Sequence, residues 1–341
     1  MKPCGGPRQV PVHFIVLRMR SAFAEAQRWA SLNRPALFWI GRILGLAALA
    51  YFLFVLWTHR AVFRSIEWSP QVGGLLILCL AAYLLTMAVN ASCWYLMMRS
   101  MGSRRPPSPF FVIYGLSQFG KYVPGNVAHH IGRIALSRFY SLRIPNVIVS
   151  MGIEMAWMIS VAAVLGVTAV AEFAAIAPTT LVMPGYIELV VLAVVAMAGP
   201  LGLLRLTKWI LSRRSGSARD SLAWPHWGVL FTVFVLYAAN FLVLGWVIDL
   251  LGHFVFGSRP VSPLFVAGGY AVAWVAGFII PGAPAGAGVR DALLVIFLSQ
   301  PFGIGTATGV ALLLRLISLC GDFFAFAAAW VGHRLLPSAT S

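Results

Sequence analysis

From residue 71 to residue 98 the chain carries no charged side chain. A helix rising about 1.5 Å per residue makes such a stretch longer than the roughly 30 Å hydrocarbon core of a bilayer. Apolar runs of comparable reach lie near 36–57, 147–171, 185–204, 226–251 and 304–333. Within hydrocarbon every backbone donor and acceptor has to be satisfied inside the chain, so these runs are read as helices. Composition points the same way: 60% of the residues are hydrophobic and 10% charged, where soluble domains have roughly 45–50% and 25%. A water-soluble fold is excluded, and the reading is an all-α integral membrane protein with about six spanning helices.

Two further apolar stretches, 109–143 and 263–299, are interrupted near their middles by Pro124-Gly125 and Pro281-Gly282. Proline removes a backbone donor and glycine adopts conformations other residues avoid, so each pair ends a helix where the chain turns. Each stretch is therefore expected to be a re-entrant hairpin of two short arms. Such a break is tolerated at membrane depth only where its freed backbone groups face protein or a wet cavity.

The segments preceding the breaks resemble each other, Arg105-Pro-Pro-Ser-Pro-Phe-Phe-Val112 against Arg259-Pro-Val-Ser-Pro-Leu-Phe-Val266, with six of eight positions identical. An arginine follows each break at the same spacing, Arg133 and Arg290. A duplicated unit is expected: a first membrane repeat over 36–172 and a second over 173–334, flanked by a basic tail, 1–35, and a short tail, 335–341. Of the 25 basic residues, 19 fall in the N-terminal tail to Arg42, the loop at Arg99–Arg105, the segment with Arg133, Arg138 and Arg143, the loop Arg205–Arg219, and Arg334. The positive-inside rule makes those faces and both termini cytoplasmic, in a bacterial inner membrane, and the second repeat then inserts upside down: an inverted-topology repeat. The net charge of +16 is spread through short loops, which argues against nucleic acid and for orientation and anionic lipid headgroups. The N-terminal tail is read as uncleaved. Cysteines 4, 79, 93 and 320 have no paired spacing and are read as packing residues.

Charges inside a bilayer cost roughly 2.5–3.5 kcal/mol each on insertion scales, so Lys121, Glu154, Asp249, Arg290, Asp291, Arg315 and Asp322 are functional candidates. Arg315 and Asp322, with Thr308 and Ser318, share one face of the last span. Glu154 is expected to pair with Arg315 or Lys121, with an ion pair that fixes helix register as the bland alternative. The tip Gly120-Lys121-Tyr122-Val123-Pro124-Gly125-Asn126 sets a cation beside a new helix start, the makings of an anion site. The second tip, Pro281 to Asp291 with Gly286 and Gly288, offers small residues, while Asp291 needs Arg290 or Arg315 to neutralise it before an anion could bind. His129 and His130, adjacent on a helix, are expected on different faces, which makes no metal pair, in packing or interface roles. Asn90 and Asn240 are candidates for an interhelical hydrogen bond. Trp57, Trp68, Trp224 and Trp227 flank spans as an aromatic belt. No catalytic cluster, metal-ligand spacing or cofactor motif is found.

At Gly-Lys-Tyr-Val-Pro-Gly-Asn with Arg133, and at Pro-Gly-Ala-Pro through Gly-Val-Arg-Asp, the sequence resembles the lysylphosphatidylglycerol synthase transmembrane-domain family, over about residues 35–335. The resemblance implies a lipid flippase. It carries the family's first motif onto Lys121, Tyr122, Pro124, Gly125, Asn126 and Arg133, and its second onto Pro281, Gly282, Gly286, Gly288, Val289 and Arg290. Glu154 and Arg315 fit its membrane-embedded polar positions, whereas Ala285, Ala287 and Asp291 depart from its usual residues. The family's soluble aminoacyltransferase domain is not found in these 341 residues, so synthase activity is not implied.

The expected function is translocation, by alternating access, of an anionic lipid or a lipid-linked glycan or hopanoid intermediate. Its head would lie among Lys121, Tyr122, Asn126, Arg133, Glu154, Arg290, Asp291, Arg315 and Asp322, and a partner enzyme of lipid or polysaccharide biosynthesis is expected. The alternatives are a membrane enzyme acting on a polyprenyl or hopanoid lipid, and a scaffold of a cell-envelope complex.

Overall fold

A computed structural model describes residues 66–122, 128–176, 223–279 and 288–335, with 57, 61, 64, 202 and 286 singly. All regular elements among them are helical. They are α1 (Pro70–Ser100), α2 (Ser108–Gln118) with a 3-10 turn (Phe119–Tyr122), α3 (Ala128–Phe139), α4 (Ile144–Ile176), α5 (Trp227–Leu250) ending in a π turn (Leu251–Val255), α6 (Pro263–Ile279), α7 (Val289–Phe302) and α8 (Ile304–Leu335).

Local chemistry sets several of these boundaries. Ser69 caps α1 by accepting the Val72 N–H at 3.3 Å, and Pro70 occupies the first helical position, where its missing N–H is not needed. At α7, Gly288 takes φ +84°, and the Asp291 carboxylate in the first turn accepts the Gly288 N–H at 3.2 Å.

Four helices, Pro70–Ser100, Ile144–Phe173, Trp227–Val255 and Ile304–Leu335, are long and apolar enough to cross a membrane. They coincide with the runs read at 71–98, 147–171, 226–251 and 304–333; apart from residues 57, 202 and 335, the runs 36–57 and 185–204 and the tails 1–35 and 335–341 lie outside the described residues. Large apolar side chains stand exposed along these helices, among them Ile77, Leu85, Phe231, Trp246 and Phe323. Such a surface is a liability in water and is matched by acyl chains. The chain is a multi-pass helical membrane protein.

The order long, short, short, long occurs twice, and the packing repeats with it. Helix α2 lies on α8 while α6 lies on α4; α2 packs on α3 as α6 packs on α7; α3 meets α4 as α7 meets α8; and α1 packs against α5. Exchanging the two halves maps this set of neighbours onto itself. A shared steric device underlies the two most intimate crossings. A Cβ at Gly115 of α2 would stand 2.6 Å from the Ala329 Cβ and 2.9 Å from the Ala325 carbonyl oxygen of α8. One at Gly268 of α6 would stand 2.7 Å from the Ala169 Cβ and collide with the Leu165 carbonyl oxygen of α4. Between membrane helices, where lipid removes most of the hydrophobic drive to associate, small residues gain contact by letting backbones approach.

Overpacking a tight contact costs about 1–3 kcal/mol. Gly268→Leu and Gly115→Leu are therefore expected to lower the thermal midpoint of the detergent-solubilised protein. Gly152→Leu, at an exposed glycine with nothing within 4 Å of its added Cβ, is the matched control and is expected to leave the midpoint unchanged.

Candidate functional site

The arms that precede and follow each break end at one place. A cavity of about 180 Å³ is lined from α1 by Tyr83 and Asn90, from the α2 end by Tyr114, Lys121 and Tyr122, and from α3 by His129, His130 and Arg133. Glu154 of α4, Tyr237 and Asn240 of α5, Tyr270 of α6, Arg290 of the second tip and Arg315 of α8 add to its polar lining, and Gly286 borders it.

At the first tip the 3-10 turn presses against α3: a Cβ on Gly120 would lie 2.6 Å from the His129 Cα. Lys121 is thereby turned toward α8, where its Nζ pairs with Asp322 Oδ2 at 2.6 Å. Asp322 is fully buried, and its oxygens accept further hydrogen bonds from the Tyr83 hydroxyl at 3.0 Å and from the Tyr122 hydroxyl. Tyr83 in turn accepts from Lys121 Nζ at 3.3 Å. Three polar groups thus close one network around a single carboxylate.

Arg133 and Glu154 form a second buried set. The guanidinium reaches both carboxylate oxygens, Nη2 to Oε1 at 3.4 Å and Nη1 to Oε2 closer. It is also stacked over the rings of Tyr114 and Trp94, at 4.6 and 4.9 Å from their centroids. Trp94 is held in turn by donating to Ser150 Oγ at 3.0 Å.

The second tip supplies the third set. Arg315 Nη1 contacts Asp291 Oδ2, and Arg290 Nε stands 3.7 Å from Asp291 Oδ1. The backbone closes tightly around Arg290, because a Cβ on Gly277 would lie 3.0 Å from the Arg290 Cβ and 3.1 Å from the Gly286 Cα. Gly286 itself takes φ +70°, a conformation that L side chains avoid. Helix α8 therefore bridges the two tips: Arg315 holds the second and Asp322, seven residues on, holds the first.

Among the described residues of the cavity and their ion-pair partners, four cations (Lys121, Arg133, Arg290 and Arg315) face three carboxylates (Glu154, Asp291 and Asp322). One positive charge is in excess. Lys121, Arg133 and Arg315 each hold a close carboxylate, whereas Arg290 reaches one only at the longer 3.7 Å.

Several sequence-derived expectations change here. Glu154 pairs with Arg133 rather than with Arg315 or Lys121, because α3 is packed beside α4. Arg133 is no loop arginine setting orientation: it is 1% exposed. His129 and His130 do not point to different faces; their rings lie 3.8 Å apart and both line the cavity. Small residues at the second tip bring backbone close to Arg290 as well as to the cavity. Thr308 is half-buried and donates to the Ile304 carbonyl, while Ser318 and Arg315 line the cavity.

Asp249 accepts the Val261 N–H at 3.2 Å, fixing the loop before α6. Asn240 donates to the Asn90 side-chain oxygen at 2.7 Å where α5 meets α1. Pro124, Gly125, Asn126, Pro281 and Gly282 lie outside the described residues. Tyr83 is the residue that sequence reading missed; its signal is a tyrosine in the interior of a charge-free run, away from the interfacial level where tyrosines usually sit. The chain matches no protein-family model, and no curated protein sequence matches it.

Removing one partner of a buried pair leaves an uncompensated charge and costs about 3–5 kcal/mol. Glu154→Gln is expected to lower the thermal midpoint of the solubilised protein markedly, and the double change Glu154→Gln with Arg133→Gln to recover part of that loss. A single variant as stable as the parent would mean that the Arg133–Glu154 pair carries no stability.

Proposed function

We propose that the protein translocates an amphiphilic anion, a lipid or lipid-linked molecule, across the membrane by alternating exposure of the cavity. The observation that carries this reading is the excess cation: Arg290 lines a chamber among membrane-spanning helices, and its nearest carboxylate is already bound to Arg315. A charge held there without a close carboxylate of its own is costly. An anionic head group removes that cost, while the apolar exterior lets the tails remain in acyl chains.

The segments flanking the two Pro-Gly breaks form the re-entrant hairpins of this reading, one in each half. The exchangeable packing of the halves and the matching octapeptides support an inverted-topology repeat, in which the first hairpin enters from the cytoplasm and the second from the opposite face. The basic loops orient the chain with both termini inside a bacterial inner membrane. The resemblance to flippase domains at the Lys121 and Arg290 motifs agrees with this function. Rocking of one half against the other moves the head group between leaflets.

Purified protein in liposomes carrying fluorescent phosphatidylglycerol in one leaflet tests this, with dithionite quenching as the readout. The parent chain is expected to speed appearance of the label in the other leaflet. A hydrogen bond to a charged group contributes about 1.5–3 kcal/mol, so Arg290→Ala is expected to slow the movement about ten- to a hundredfold. Transport unchanged by Arg290→Ala would remove that residue from the path, and absence of movement for every anionic lipid tried would defeat the carrier.

A further inference from the structure

Two titratable side chains of the cavity take part in none of its ion pairs. His129 and His130, on the first turn of α3, have ring centroids 3.8 Å apart and both line the chamber. The Nδ1 atom of each is buried without a hydrogen-bond partner. Buried ring nitrogens ordinarily have a partner, and a neutral imidazole offers one donor nitrogen and one acceptor. Two such orphans side by side mark a place that binds something transient.

The charged and titratable groups sharing the chamber with this pair are Arg133 on the same helix, Lys121 and Tyr122 on the preceding turn, Tyr114 on α2 and Glu154 on α4, together with Tyr83, Tyr237, Tyr270, Arg290 and Arg315. Lys121 and Arg133 are held by Asp322 and Glu154. A proton reaching the pair therefore finds a free imidazole lone pair and no free carboxylate. Rings this close take up at most one added proton between them, since a second would set like charges about 4 Å apart.

We propose that His129 and His130 form a proton-binding site that couples movement of the anionic cargo to a proton gradient. The inference rests on the transport reading above. An anionic head group in the chamber favours a proton on the pair, and by linkage the proton favours the head group to the same degree. Anion and proton then cross together, and the loaded carrier moves without the electrical work that a lone anion would need.

The test uses full-length protein in proteoliposomes with fluorescent phosphatidylglycerol in the outer leaflet and pyranine trapped inside. Wild-type protein is expected to move lipid at a rate that follows the imposed pH gradient, by up to about tenfold per pH unit, the limit for one coupled proton. Interior acidification is expected to accompany that movement. In His129→Asn/His130→Asn, lipid movement is expected to lose its dependence on the gradient and the pyranine signal to vanish.

Wild-type movement indifferent to the gradient, or a double variant that keeps the wild-type dependence, would overturn the proton site and leave the carrier standing. No lipid movement by the wild-type protein would overturn both. The pyranine trace of the wild-type protein requires no variant, so a double variant that fails to fold still leaves a decision: lipid movement without proton movement sinks the proposal.

Discussion

A carboxylate sealed from solvent inside a membrane helix has to be matched by donors, or the helix would not hold it ionised at that depth. Asp322 is that group here, and the match comes from two other segments: Lys121 and Tyr122 from the first tip, and Tyr83 from α1. The need to match one buried charge thus fixes where the first tip can lie. The same helix presents Arg315 two turns earlier, and that residue fixes the second tip through Asp291. The arrangement of the chamber follows from two side chains on α8.

What allows the tips to reach α8 is the sparseness of the arms that carry them. Helix α2 approaches α8 over Gly115, and α6 approaches α4 over Gly268, each glycine facing a carbonyl oxygen and an alanine methyl. A side chain at either position would hold the arm away from its partner and displace the tip at its end. Close packing and charge pairing are therefore coupled: the first sets the distance at which the second operates. At the seam between the halves, the Asn90–Asn240 hydrogen bond joins the two helices that are each other's counterpart when the halves are exchanged.

The sequence made the helical, multi-pass character legible because hydrocarbon tolerates only satisfied backbone, and that requirement writes long apolar runs into the chain. It also drew notice to Lys121, Glu154, Arg290, Arg315 and Asp322, since an intramembrane charge is conspicuous by its cost. Their partners were not legible. Arg133 stands out by its spacing from Pro124 and as a candidate head-group ligand, but only the packing of α3 on α4 shows that it lies under Trp94 and Tyr114 and neutralises Glu154. Tyr83 escaped notice because its hydroxyl carries no charge to make its cost conspicuous in an apolar run. The two histidines were misread because helical spacing alone separates adjacent residues, whereas their rings lie 3.8 Å apart and both line the cavity.

Arg315 and Asp322 lie about 10 Å apart along one face of α8, two turns of helix, and each is bound to the opposite half's or its own half's tip. Tilting α8 relative to either tip stretches one of these contacts. In the proposed cycle such a rupture is tolerable only if a replacement partner arrives as the first leaves, because breaking a buried pair outright costs far more than exchanging it. An anionic head group at Arg290 is placed to compete with Asp291 for both arginines of the second tip, so its arrival loosens that latch while the Lys121–Asp322 contact on the first tip still holds. The cargo would thereby supply the charge that the conformational change removes, which ties movement of the helices to occupancy of the chamber and leaves the empty carrier in its latched form.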